Sequence, residues 1–264
     1  MFFPLLIATL SRCAGAGGIQ ITHLNVPTEV RNGSSYTILD CVYSLKPDEV
    51  DTERGLVVKW YFNNGPSPVY QWIPGMKPQD LGVLRGRLNV LHRVTDNVAT
   101  MHRALYILNP TTDLSGEYKC HVSTFEDEDF MTKKMVVYAT EKKFELTQSK
   151  PDPDSVRIAC SAKGLFPEPK MALYKTPSGS KLSMPDVEVE TTAKQGSYDI
   201  RAQALMSDAD LESPTFFDCE VKIPEVRYAV RKTIVYYPGI YELPSGKCCR
   251  RLWRHCSARV ACSV

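Results

Sequence analysis

Asp113-Leu114-Ser115-Gly116-Glu117-Tyr118-Lys119-Cys120 decides the reading of this 264-residue chain. Tyr118 stands two residues before Cys120, on the same face of an extended strand. Upstream lie Cys41, flanked by the apolar neighbours Ile38 and Val42, and Trp60 in Val57-Val58-Lys59-Trp60-Tyr61-Phe62. From Ile19 to Tyr138 apolar residues recur in short alternating runs broken by Pro, Gly and Asn, the mark of antiparallel strands rather than helices. The expected class is all-β.

The Cys, Trp and Tyr-x-Cys set resembles the immunoglobulin superfamily. The resemblance implies a disulfide between Cys41 and Cys120 across a buried Trp60, with the Tyr118 hydroxyl turned back onto the backbone at a strand corner. It implies a second bridge between Cys160 and Cys219, 59 residues apart against 79 for the first. The longer spacing leaves room for the extra strands of a variable-type sandwich, and the shorter suits a constant type. Two tandem immunoglobulin-like β-sandwiches are expected, V-like over 18–140 and C-like over 141–238. Within that superfamily, Val58-Lys59-Trp60-Tyr61 and Gly116 to Ser123 are similar to the insect beaten-path-like cell-surface proteins, which recognise a second immunoglobulin family in neuronal adhesion. Gly164-Leu165-Phe166-Pro167-Glu168-Pro169 resembles the second domain of butyrophilin-like ligands. Two departures stand out in the pattern. Leu114 occupies the place of the usual Asp, so that any ion pair with Arg87 falls to Asp113, and Phe217 replaces the corner Tyr of the second domain.

The length suits two domains of roughly 100 residues each with remainders at both ends. A net charge of +2 gives no case for nucleic-acid binding, which calls for a concentrated basic excess. Bridges of this kind persist only in an oxidising compartment. Phe2 to Leu10 is an apolar run too short to span a bilayer, and Ala14-Gly15-Ala16 follows as a cleavage-site pattern. Residues 1–16 are expected to be a signal peptide, with a buried N-terminal strand as the alternative. The one N-glycosylation sequon is Asn32-Gly33-Ser34, in a turn between strand-like segments.

In the first domain strands are expected around Ile38 to Val42, at Val57 to Phe62, Val69 to Ile73, Arg87 to Val90 and Ala104 to Leu108, and in the segments carrying Tyr118 and Met135 to Tyr138. Lys46 to Arg54 should form a long charged loop, and Thr140 to Pro153 a short elbow. In the second domain strands are expected at Ser155 to Cys160, Met171 to Tyr174, Ile200 to Leu205, Phe217 to Val221 and Val230 to Tyr236. Leu173 or Tyr174 must fill the space of the missing Trp.

Superfamily resemblance implies recognition of another extracellular protein through the sheet formed by strands G, F, C and C′. Expected contact residues are Tyr61, Tyr70, Trp72, His121 and the hairpin tip Phe125, Glu126, Asp127, Glu128, Asp129 and Phe130. Alternation puts Trp60 inward and Lys59 and Tyr61 outward. Trp72 shares a face with Tyr70, and its alternative role is to cover the edge of its own sheet. Four consecutive carboxylates imply a partner with Lys or Arg opposite; the alternative is a solvated charged turn. A homophilic contact fits the same face. A soluble carrier with a small apolar pocket is the competing class.

Five His residues are scattered along strand segments without a Ser-His-Asp grouping or an H-E-x-x-H motif, so no enzyme activity and no cofactor are expected. Residues 239–264 form a basic, Cys-rich tail containing Cys248, Cys249, Cys256 and Cys262. The spacings do not suit zinc. These cysteines are open to pairing with each other or linking chains, and the tail is a candidate for contact with anionic surfaces. No run of 18 apolar residues is present. The expected location is secreted or on the outer face of the plasma membrane.

Overall fold

The computed structural model describes residues 18–45, 55–176 and 180–238. The leader over 1–16, the Lys46 to Arg54 loop and the tail with its four cysteines lie outside the described residues.

In the first domain β1 (Gln20–Asn25), β3 (Tyr36–Ser44) and β7 (Leu105–Leu108) form one sheet in the order β1-β3-β7. The facing sheet has six strands in the order β2-β9-β8-β4-β5-β6: β2 (Glu29–Arg31), β9 (Glu128–Tyr138), β8 (Gly116–Ser123), β4 (Val57–Phe62), β5 (Tyr70–Trp72) and β6 (Gln79–Asp80). These are A, B and E against A′, G, F, C, C′ and C″, the variable-type arrangement. β2 runs parallel to β9 while β1 pairs with β3, so the first strand serves both sheets. On β3, Thr37, Leu39, Cys41 and Tyr43 alternate inward. Trp60, Tyr118 and the Cys41–Cys120 bridge are fully buried between the sheets.

The Arg87 to Val90 strand is not formed. Only Leu88 makes a bridge, to Ile107. Asn89 ends it: its side-chain Oδ1 accepts from Leu91 N at 3.2 Å and its carbonyl from His92 N at 3.1 Å, a local turn that competes with the ladder.

The elbow is shorter than expected. β10 (Lys143–Asp152) is a full strand paired antiparallel with β11 (Ser155–Leu165). The second domain stacks β10-β11-β15-β14 on β13-β12-β16-β17, using β12 (Lys170–Thr176), β13 (Leu182–Ser183), β14 (Glu188–Lys194), β15 (Ser197–Ser207), β16 (Thr215–Ile223) and β17 (Tyr228–Tyr236). The first sheet is A, B, E, D, as in constant-type domains; the two-residue β13 adds a stub beside strand C. Leu173 is 1 % exposed and takes the Trp position. Phe217 packs near Tyr236, ring centroids 6.2 Å apart. The absent corner hydroxyl is replaced by Thr215, which donates to the Glu212 carbonyl at 2.5 Å, and by Tyr236, which donates to Asp208 at 2.6 Å.

Cys160–Cys219 closes the second sandwich. On the chain-entropy model each bridge contributes about 4 kcal/mol by restricting the unfolded chain. Between the domains, Ala139 and Phe166 exchange backbone hydrogen bonds at 2.9 and 3.0 Å. Arg227 N donates to Glu29 at 2.8 Å, and Lys134 pairs with Glu225 at 2.6 Å.

Candidate interaction face

β4 and β8 fix the outward face of the six-stranded sheet. Tyr61 lies opposite Lys119, and Lys59 opposite His121; across the next ladder His121 lies opposite Phe130. Directly opposed residues share a face, so the burial of Trp60 and Cys120 sends this set outward. Lys119 Nζ stands 4.7 Å from the Tyr61 ring centre and 5.8 Å from that of Phe130. Tyr61 meets His121 edge-on, centroids 6.4 Å apart. Lys119 makes no ion pair among the described residues, so its charge is offset by ring faces alone, a modest attraction at an exposed site.

The expected contact residues divide. Tyr61, His121 and Phe130 come together on the outward face, Phe130 with 62 % exposure. Tyr70 and Trp72 do not: each is only 2 % exposed. They share a face, but it is the inner one, because Trp60 pairs with Tyr70 and Val58 with Trp72. The inner face is filled because residues 99–103, lacking a regular strand, fold against the sandwich and need donors. Trp60 Nε1 donates to the Arg103 carbonyl at 3.1 Å, Tyr70 to His102 O at 2.7 Å and Tyr43 to Ala99 O at 2.6 Å. The Trp72 ring stands edge-on to His102 at 5.6 Å. Burial pushes the Tyr43 and Tyr70 hydroxyls well above the usual tyrosine range, so both remain donors.

This anchoring is completed by a pair the motifs did not flag. Arg103 grips Asp40 with Nε and Nη2 at 2.8 and 3.0 Å, a bidentate geometry suited to guanidinium and carboxylate. That hydrogen bonding holds the Arg103 charge more firmly than usual. No spacing rule links positions 40 and 103; Lys119 was also missing from the expected contact residues, although its place next to inward-facing Cys120 marks it as outward.

The hairpin tip is Thr124 to Asp127, where Thr124 Oγ1 accepts from the backbone N–H groups of Glu126 and Asp127 at 3.3 Å. Glu128 and Asp129 already belong to β9, and each carboxylate has a partner within the chain. Asp129 Oδ2 accepts from Ile21 N at 2.7 Å, holding strand A, and Glu128 Oε2 meets His121 Nε2 at 2.9 Å. Asp129 is thus turned to strand A, whereas Glu128, its side chain 68 % exposed, stays on the outward face beside His121. Phe125 is 82 % exposed, yet its ring lies across Gly55, where φ is +73° and an added Cβ would fall 2.5 Å from the ring.

At the corner, Tyr118 donates to the Leu114 carbonyl at 2.9 Å, and Arg87 reaches Asp113 at 2.7 Å despite the one-residue shift. Asn32 is exposed in its turn. Among the described residues are two surface depressions, of about 390 and 420 Å³, whose linings include Glu145, Lys163 and Arg201 in one and Lys77, Asp80 and Arg85 in the other. Both linings mix charged and apolar residues, with Ala162 and Ile200 in the first and Pro78, Leu81 and Val90 in the second. Among the described residues no helix is long and apolar enough to cross a membrane.

No family model matches the chain, and no curated protein matches its sequence. Solved structures do match. Bovine butyrophilin is 18 % identical with a TM-score of 0.61, over 80 % of this chain and 95 % of that one. A chain of the crystal structure of ICOS in complex with ICOS-L and an anti ICOS-L VNAR domain is 14 % identical with a TM-score of 0.54, over 79 % and 99 %. Rst D1-D2 is 14 % identical with a TM-score of 0.52, over 83 % and 98 %. At these identities the likeness is one of fold: a two-domain immunoglobulin-like protein.

Proposed function

We propose that this chain is an extracellular recognition protein whose first domain binds another protein through the outward face of β9, β8, β4 and β5. The observation that carries the reading is Lys119 held between the rings of Tyr61 and Phe130 on that face. An exposed Phe130 and a half-buried Tyr61 beside a cation without a carboxylate partner among the described residues are the makings of a binding centre. Two disulfides favour an oxidising compartment. A similar fold occurs in a structure of ICOS in complex with ICOS-L, a case of one protein recognising another.

The partner chemistry differs from that implied by the acidic run. Glu128 and Asp129 are engaged within the chain, while Lys119 makes no ion pair among the described residues. The matching surface therefore offers a carboxylate over Lys119 and an apolar patch against Phe130, with Phe125 at the rim. Charge of this kind sets selectivity and association rate more than affinity.

The test is a binding array of the full chain against extracellular immunoglobulin-type proteins, itself included, followed by Phe130→Ala and Lys119→Glu. Each variant is expected to weaken the best interaction by about 2 kcal/mol, roughly thirtyfold in Kd, with an unchanged melting temperature. Full affinity retained in both variants refutes the face.

A further inference from the structure

The sheet on the opposite side of the first domain carries an uncovered aromatic ridge. Tyr36 and Tyr106 stack with centroids 4.7 Å apart and planes 17° from parallel, and His92 lies 4.8 Å from Tyr106. Leu108 lies opposite Tyr36, and Ile38 opposite Tyr106. Tyr36 is 49 % exposed and Leu108 39 %. A contiguous apolar surface of this kind calls for a cover.

Four residues before Tyr36 stands Asn32, in the turn that leads from β2 into β3. The backbone of this turn is tied down: Asn32 N donates to Tyr138 O at 2.7 Å, Gly33 N to Pro110 O at 3.0 Å and Ser34 Oγ to Arg31 O at 2.8 Å. Gly33 has φ +77° and open space around it, with nothing within 4 Å of an added Cβ. The Asn32 side chain is exposed and makes no hydrogen bond among the described residues. A fixed backbone thus presents a free amide into solvent at the edge of the ridge.

We propose that Asn32 carries an N-linked oligosaccharide whose first sugars lie over Tyr36 and Tyr106. In the transfer, the Asn32 amide nitrogen bonds to the anomeric carbon of a lipid-diphosphate-linked oligosaccharide. The anomeric C–O bond breaks, the nitrogen loses one proton, and the lipid diphosphate leaves with the bonding pair. From Asn32 to Tyr36 the chain spans at most about 14 Å, a distance that the inner sugars of a branched glycan cover. Their C–H faces suit the electron-rich faces of the two rings, and their hydroxyls restore a wetted surface. The ridge then needs no protein partner, and recognition is left to the other sheet. The proposal rests on the extracellular reading, because this transfer occurs in the secretory pathway.

The test uses the full chain secreted from a eukaryotic host. Its intact mass is expected to fall by one glycan on peptide-N-glycosidase treatment, and Asn32→Gln to show no such change. Tyrosine iodination then reads the cover, with Tyr237 as internal reference because it is 47 % exposed, nearly the same as Tyr36. Tyr36 labelling is expected about threefold below Tyr237 in the glycosylated protein and about equal to it once the glycan is removed from the folded chain. Secretion without a glycan overturns the site and leaves the extracellular reading standing; retention inside the cell overturns that reading. Equal labelling with the glycan present overturns the cover.

Discussion

Replacing Trp72 separates a core residue from a binding residue. With 2 % of its surface exposed, its side chain buries on the order of 200 Å², worth about 5 kcal/mol at ~25 cal/mol per Å². Its Nε1 has no acceptor among the described residues, and an unsatisfied buried donor costs about 1–3 kcal/mol, which offsets part of that gain. Trp72→Ala is therefore expected to cost about 3–5 kcal/mol, a large fraction of a domain's whole stability of ~5–15 kcal/mol. At ~4 °C per kcal/mol the first domain should melt about 12–20 °C lower. Trp72→Phe removes the orphan N–H and keeps most of the packing, so its cost should stay below about 1.5 kcal/mol. Calorimetry of the full chain resolves the two domains, and binding is measured below both transitions. If Trp72→Ala leaves melting unchanged but abolishes binding, Trp72 is a partner contact and its inward placement is refuted.

Tyr118→Phe should lower the first transition by about 1–2 kcal/mol, since it keeps the ring and strands the Leu114 carbonyl; an unchanged transition refutes the corner's role. Asp218, 2 % exposed, titrates below the usual carboxylate range. Burial opposes this, but hydrogen bonds from Arg231, Thr233 and Thr176 outweigh it. Because the folded value is the lower one, its stabilisation is present above the unfolded-state pKa of about 4 and is lost as pH falls through the folded value. The second domain's melting temperature should therefore drop steeply below about pH 4, and Asp218→Asn should flatten that dependence; an equally steep profile in the variant refutes the assignment.

Much of the frame was legible because it rests on residues with one structural use. The Cys-Trp-Tyr spacing fixed the first sandwich, and the two gap lengths separated the variable-type sheet from the constant-type one. The face of Tyr70 and Trp72 was not legible, because alternation says that they share a side without saying which. The register decides it: after the connection over 63–69, Tyr70 comes to lie opposite inward-facing Trp60, and a one-residue difference would have turned both rings to solvent. The fate of Asp129 depends on strand A, 108 residues away, a distance at which sequence pattern carries no information. Phe217 showed that the corner hydroxyl was missing, but not that Thr215 and Tyr236 replace it.

The two disulfides also bear on how the molecule carries load. On the proposed function, a partner pulling on the first domain would load the chain along its length. Cys41–Cys120 removes a loop of 79 residues from the extensible chain and Cys160–Cys219 one of 59, about 280 Å and 210 Å of slack respectively at full extension. Tension therefore passes from one stapled strand pair to the next through the Ala139 to Lys142 crossing. A sandwich that yields lengthens only by the residues outside its loop.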